Sequence, residues 1–548
     1  MNFDERLQKT ARDYLHEMME MIPPLGTALG LHQYDHLMPD GSLESEMHMQ
    51  KLQRKFYRDI ESMDPDTLSP SGRIDRGALL NSIGVQIYQE ENHRKWQSQP
   101  QAGVLIGTAL YMLFIRDFAP FQQRIESIAG RLEQIPAFLM NSRQLLTDPV
   151  RIWAESDMEE TVSLVGLIRL IQKTARDKQA SDKIQSRLSR ASDSATEAIR
   201  NYCSWLEEEI LPRSRENFAM TPEQFNRLLE LRELGMDAPS LEKFGWRMLE
   251  ESRERQREIA RSIAPEKSLE QVREILRNRH PETFEEVLKL TKDAVDRSRQ
   301  FVIDSDYATI PPGERLDIIE TPEFARSMVP FGAYSPPGRF EKSQVGNYWM
   351  TRPMEEKGQS LGIHNLGSIL NTSVHEGYPG HHLQLICGNT NQSWARNLTE
   401  GTEFVEGWAH YCEEMVARMG FSTEPEVMFE RAQDMIWRAI RIVVDVQLSS
   451  GQLSFDGAVD LLKKESGFDR ASCIAEVRRY TYTPGYQLSY LLGKKMIMDL
   501  SDRMKKKYHD TFSLKKFHDS MLYAGILPMK YMEMEVDEAL CPGESFVW

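Results

Sequence analysis

A proline–glycine pair set between histidines constrains this chain more than any other feature. The string Ser373-Val374-His375-Glu376-Gly377-Tyr378-Pro379-Gly380-His381-His382-Leu383-Gln384 puts three His and one Glu within eight positions. No helix runs through it unbroken. Pro379 has no N–H for the carbonyl of His375, and its ring clashes with that turn, while Gly380 tolerates backbone angles that other residues avoid. Hydrolytic zinc sites commonly use three protein ligands and keep a fourth position for water, and the usual helical solution sets two His four residues apart on one face. Here His375 is six residues from His381 and seven from His382, and seven residues of straight helix span about 10.5 Å. A bulge or break at Pro379-Gly380 would return a His to the place that i+4 normally takes. The alternative is a packed His375 followed by an ordinary histidine-bearing loop.

A second stretch favours the metal. Glu403, Glu406, His410 and Glu413 recur at three- and four-residue intervals, so they share one helix face. Phe404, Trp408, Tyr411 and Met415 on the same helix suit a buried setting. Four ionisable groups on a partly buried stripe need partners, which one divalent ion, expected to be zinc, and its ligands would supply. Glu406 is the candidate third ligand. Glu403, His410 and Glu413 are candidates for orienting the ligand imidazoles. A solvated acidic face is the competing reading.

Composition narrows the class. With 548 residues and a net charge of −16, the chain is long enough for a large core and is not a nucleic-acid binder by charge. Five scattered cysteines without a CxxC pair favour free thiols in a reducing compartment. The charged start Met1-Asn2-Phe3-Asp4-Glu5-Arg6 shows no secretory pattern, and the longest apolar run, Ala102 to Ile115, is too short to span a bilayer. The expectation is a cytoplasmic protein without membrane or nucleic-acid partners.

Helical periodicity dominates to about residue 300. Phe3, Leu7, Ala11, Tyr14, Leu15 and Met18 form one stripe, closed by Pro23-Pro24; Ile125, Ile128, Leu132 and Ile135 form another. Between 305 and 350 the Pro311-Pro312-Gly313 and Pro336-Pro337-Gly338 turns punctuate short strand-like runs at Leu316–Ile319 and Val345–Met350. The expected fold is therefore mainly α, with a small sheet just ahead of the metal motif. A helical region 1–304 and a metal-site region 305–548 are expected to form one two-lobed unit. Further on, Arg478-Arg479-Tyr480-Thr481-Tyr482-Thr483-Pro484-Gly485-Tyr486-Gln487-Leu488-Ser489-Tyr490 gathers four tyrosines and two arginines. A tyrosine hydroxyl can donate to a developing oxyanion, and an arginine can grip a carboxylate. Packing alone is the other reading of such an aromatic turn.

In its His-Glu-Gly-Tyr-Pro-Gly-His-His-Leu-Gln and Glu-Gly-Trp-Ala strings the chain resembles the large family catalogued as domain of unknown function 885. Supporting strings run nearly end to end, among them Leu29 to Asp35, Arg131 to Pro136, Tyr334 to Pro337, and Pro484-Gly485 with Leu488-Ser489-Tyr490. That family is regarded as related to helical gluzincin metallopeptidases of the carboxypeptidase Taq, thimet oligopeptidase and angiotensin-converting enzyme type. The resemblance implies a helical body with a deep central cleft. It also implies one zinc, with Gly380-His381 selecting His381 over His382 as second ligand, Glu376 as general base and Glu406 as third ligand. The family's motif is two residues longer than the peptidases'. Ser449 stands where many members carry a His, and Tyr486-Gln487 replace a common Gln-Ala.

These observations make the chain a candidate zinc-dependent hydrolase of amide bonds in short peptides. His375, His381 and Glu406 would be ligands (His382 the alternate), with Glu376 as base and Tyr480 as oxyanion donor. Arg479, Tyr482, Tyr486 and Tyr348 would contact substrate. A hydrolase of non-peptide amides or esters, an inactive metal-binding relative and a helical binding protein are the alternatives.

Overall fold

Apolar periodicity becomes helix almost wherever the chain carries it. The computed structural model describes residues 2–541 except 322–325, 327–328, 330–331 and 354–360; within these the fold is mainly α with one small sheet. The first stripe forms the helix Phe3–Met21, opened by an Asn2–Glu5 capping box and burying Leu7, Ala11, Tyr14 and Leu15. Phe3, counted in that stripe, is 50% exposed, and Met19 is buried in place of Met18. Pro23 and Pro24 end this helix and also begin the next, Pro23–Leu29, at first-turn positions where no N–H is needed. The apolar run Ala102–Ile115 is one helix. Among the described residues no helix is long and apolar enough to cross a membrane.

The chain gathers into two compact units, and the division does not fall at 304/305. One unit comprises 1–67, 83–218 and 337–343; the other comprises 68–82, 219–336 and 344–548. In the first, Gly338 presses on the backbone of Ala28–Gly30, the Phe340 amide donates to the Leu29 carbonyl, and His32 meets Glu341. This explains the Leu29-to-His32 string.

The second unit holds every candidate site residue. Residues 219–304 belong to it because α1 (Ala238–Ile263) and α2 (Phe284–Asp304) bury their apolar stripes within it. The sheet comprises β1 (Arg315–Glu320), β2 (Gly332–Ser335) and β3 (Val345–Met350) in the order β1-β3-β2, with β1 parallel and β2 antiparallel to β3. β1 and β3 are the two expected runs, whereas β2 is four residues beside a Pro-Pro-Gly turn, too short to show alternation. Then follow α3 (Leu366–Glu376), α4 (His381–Asn389), α5 (Thr402–Arg418), α6 (Pro425–Ser449), α7 (Arg470–Tyr482) and α8 (Ser489–Tyr508).

Small residues set the helix spacing. Gly245 of α1 lies against Ala439, Ile442 and Val443 of α6. Gly407 of α5 faces Gly493 of α8, and a side chain on either would strike the other helix's backbone. The helix carrying Glu403, Glu406, His410 and Glu413 is thus held against α8 almost backbone to backbone, and all four are buried.

Candidate metal centre

The break at Pro379-Gly380 folds the motif back on itself. α3 ends at Glu376, the Gly377 amide bonds to the Ser373 carbonyl, and the Gly380 amide turns back to the Val374 carbonyl before α4 opens at His381. A side chain at Gly380 would collide with the carbonyl oxygens of His375 and Val374. Trp408 Nε1 donates to the Pro379 carbonyl at 2.8 Å, fixing the break on α5. The rings of His375 and His381 end 4.9 Å apart. His375, His381 and Glu406 then offer three ligand atoms within 4.8 Å of one another.

Hydrogen bonds decide which atoms point inward. His375 Nδ1 pairs with Glu413 Oε1 at 2.7 Å, which commits that nitrogen and leaves Nε2 for a cation, the arrangement that fixes a metal-binding tautomer. Asn371 in turn donates to Glu413 Oε2 at 3.2 Å and to Asp434 at 3.0 Å. Burial would lower the pKa of His375, but the Glu413 bond and the charges of Glu376 and Glu413 raise it above the ordinary value. His381 is shifted down, by burial first and by His375 next. Its Nδ1 has no hydrogen-bond partner among the described residues, and its Nε2 lies 3.7 Å from Glu406 Oε2. Two imidazoles and a carboxylate, one imidazole backed by a buried glutamate, suit Zn²⁺ in donor type and number. Glu376 is half-buried at the C-terminus of α3 and has no hydrogen-bond partner among the described residues.

His382 lies outside this cluster. It is fully buried, with Nε2 2.7 Å from Glu314 Oε2 and Nδ1 3.0 Å from the Tyr334 hydroxyl. Both ring nitrogens are committed, so the alternate ligand is not available as placed. Burial opposes the Glu314 charge, yet bonds from His382, Tyr378 and Arg299 hold its carboxyl below the usual range. Gly346 of β3 lies against Tyr334 and His382, where a side chain would not fit. Glu314 escaped the sequence reading because it follows a Pro-Pro-Gly turn with no metal-like spacing.

Of the three groups expected to orient the ligand imidazoles, only Glu413 is hydrogen-bonded to a candidate ligand imidazole, that of His375. Glu403 is ion-paired with Arg232 and accepts from Ser489 Oγ at 3.3 Å. His410 is fully buried and neither ring nitrogen has a hydrogen-bond partner among the described residues. It packs edge-on to His375 at 5.3 Å. Burial and the nearby Arg438 charge hold its pKa well below the ordinary value. His375, His410 and Glu413 also bring ligand atoms within 4.8 Å. That inner trio already has a direct 2.7 Å His375–Glu413 bond and faces the Arg438 cation. The donor set of His375, His381 and Glu406 is therefore the better cation site.

The tyrosine-rich segment divides. Tyr480 is fully buried, its hydroxyl donating to Glu476 at 2.7 Å and accepting from Arg441 Nε at 2.9 Å. Arg479 also pairs with Glu476, at 3.0 Å. With its one proton engaged there, Tyr480 is not placed as an oxyanion donor. Tyr486 takes the position at the site, donating to Glu406 Oε1 at 2.6 Å. Tyr482 is half-buried, and Tyr348 of β3 is buried close to the Glu376 charge. Ser449 Oγ donates to Asp445 Oδ1 at 2.8 Å and so serves Asp445, not an imidazole.

Two solved structures share the fold. One, entitled "a putative lipoprotein of unknown function from Shewanella oneidensis", superposes with a TM-score of 0.78 at 20% identity, over 96% of this chain and 98% of its own. The other, "the putative lipoprotein from Colwellia psychrerythraea", gives 0.83 at 16% identity, over 98% and 99%. No curated protein sequence matches. The sequence matches the family described as "Bacterial protein of unknown function (DUF885)" over residues 23–536, and the chain therefore belongs to that family.

Proposed function

We propose that this chain is a zinc-dependent hydrolase of amide bonds, acting on short peptides. One observation carries the reading. His375 presents Nε2 towards His381 and Glu406 because Glu413 holds its Nδ1, so three donors of zinc-like type converge within 4.8 Å. A bound zinc ion supplies a water of lowered pKa and polarises the carbonyl it contacts. The chain's own residues do the rest. Glu376, next to a ligand and without a hydrogen-bond partner among the described residues, takes the water's proton and passes it to the leaving amine. Arg479, three positions before Tyr482 on α7 and with guanidinium donors beyond the one it gives Glu476, is the candidate grip for a substrate carboxylate, and Tyr348 lines the Glu376 side. Kinship with helical gluzincin peptidases, and a deep cleft restricting access to short chains, belong to the same proposal. So does a cytoplasmic location, supported by five cysteines that all remain thiols.

The test is Glu376→Gln. It is expected to abolish hydrolysis of a peptide library while leaving zinc content at the wild-type level. A variant as active as wild type would remove Glu376 from the mechanism.

A further inference from the structure

The turn between α7 and α8 is anchored more heavily than a connecting loop needs. Asp445 of α6, wholly buried, accepts from the Gly485 amide at 2.9 Å and from the Gln487 amide at 2.8 Å, with Ser449 Oγ as third donor. One carboxylate thus grips the backbone on both sides of Tyr486. Arg232 grips it again, donating to the Gly485 carbonyl at 2.6 Å while paired with Glu403. Gly485 has φ +77°, a left-handed conformation that glycine adopts without strain. What this anchoring aims is a single hydroxyl. Tyr486 donates to Glu406 Oε1 at 2.6 Å, while the other carboxylate oxygen is the one 3.7 Å from His381 Nε2.

We propose that Tyr486 restricts Glu406 to binding the cation through one oxygen, and that Asp445 is a positioning residue that keeps Tyr486 there. The inference rests on the metal-site reading and deepens it. A carboxylate with both oxygens free can rotate, bind through either or both, and crowd the position a water needs. A phenol has one proton to donate. Spent on Oε1, it orients the carboxylate and leaves Oε2 facing the imidazoles. This also accounts for a tyrosine at position 486: its role is to hold a ligand, not to donate to an oxyanion.

The experiment measures zinc affinity by competition with a chromophoric chelator, and the visible spectrum of the cobalt-loaded protein. The proteins are wild type, Tyr486→Phe, Asp445→Asn, the double variant and Glu406→Ala. Tyr486→Phe is expected to weaken zinc binding about 10- to 100-fold, as loss of a group behind a ligand generally does, and to weaken the intense cobalt bands of four-coordination as the freed oxygen joins the ion. Asp445→Asn should do the same, and the double variant should lose no more than either single one, because Asp445 acts through Tyr486. A purely structural role for Asp445 would instead add to the Tyr486 effect and leave the cobalt spectrum unchanged. Tyr486→Phe removes one hydroxyl and keeps the ring, so it carries the test should Asp445→Asn not fold. Wild-type affinity and spectrum in Tyr486→Phe, with binding lost in Glu406→Ala, would overturn this inference alone. A wild-type protein that takes up neither zinc nor cobalt would overturn the metal reading beneath it as well.

Discussion

His381 and His382 are neighbours in the chain and opposites in use. Glu314 and Tyr334 consume both nitrogens of His382, while His381 turns towards His375 and Glu406. His381→Ala is therefore expected to lose bound zinc. His382→Gln should keep it at about one per chain and show its damage as a lowered melting temperature, since it removes the imidazole from the groups bonded to the buried Glu314, leaving Tyr378 and Arg299; elemental analysis beside thermal melting separates the two. Glu413→Gln should retain zinc but bind it about 10- to 100-fold more weakly, read by chelator competition. That His375, His381 and Glu406 converge was legible from type and spacing, with His382 left beside His381 as the alternate. The choice between the two adjacent histidines was not legible in local pattern and came only with the family resemblance. The partner that decides it, Glu314, lies 68 positions away. Tyr480 is a local case: its proton goes to Glu476, four positions before it, and Arg441, 39 positions upstream, donates to the same hydroxyl.

At the scale of elements, two glycine contacts place the candidate ligands. Gly380 brings α4 back beneath α3, and Gly407 lets α5 lie on α8. Gly380→Ala must push against two carbonyl oxygens. It should cost on the order of 3 kcal/mol, at the upper end of the usual overpacking range, and should lower zinc occupancy with it because His381 moves. Urea unfolding and metal content on the same sample check this; a variant with wild-type stability and full zinc would contradict the argument. The break itself was legible because proline and glycine act through local stereochemistry. Long helices such as Ala102–Ile115 were legible because periodicity repeats over many turns. β2 was not, since four residues are too few to alternate. Nor was the purpose of Gly407, which depends on Gly493, far along the chain.

For the whole molecule, the two units are assembled from interleaved segments, and ion pairs buried in the second tie distant elements together. Sequence reading set the boundary at 304/305, where texture changes, but burial of the 219–304 helices follows partners that texture does not reveal. One such tie has a definite pH signature. Burial works against the Glu476 carboxylate, but Arg441, Arg479 and the Tyr480 hydroxyl outweigh it and bring its pKa down to about 2. A depressed folded-state pKa gives stability that is fully present above the unfolded value of about 4.5 and is lost as pH falls towards 2. From the size of the shift this amounts to about 3 kcal/mol. Urea midpoints measured from pH 5 down to 2 should fall steeply in wild type. Glu476→Gln should start lower at pH 5 and fall less steeply. Parallel curves would mean that Glu476 does not hold this network together.

Whether His375, His381 and Glu406 hold an ion is met most directly by elemental analysis of wild type and Glu406→Ala after equilibration with zinc and removal of excess. About one zinc per wild-type chain is expected, largely lost in the variant. A wild-type chain that retains no zinc would contradict the metal-site reading.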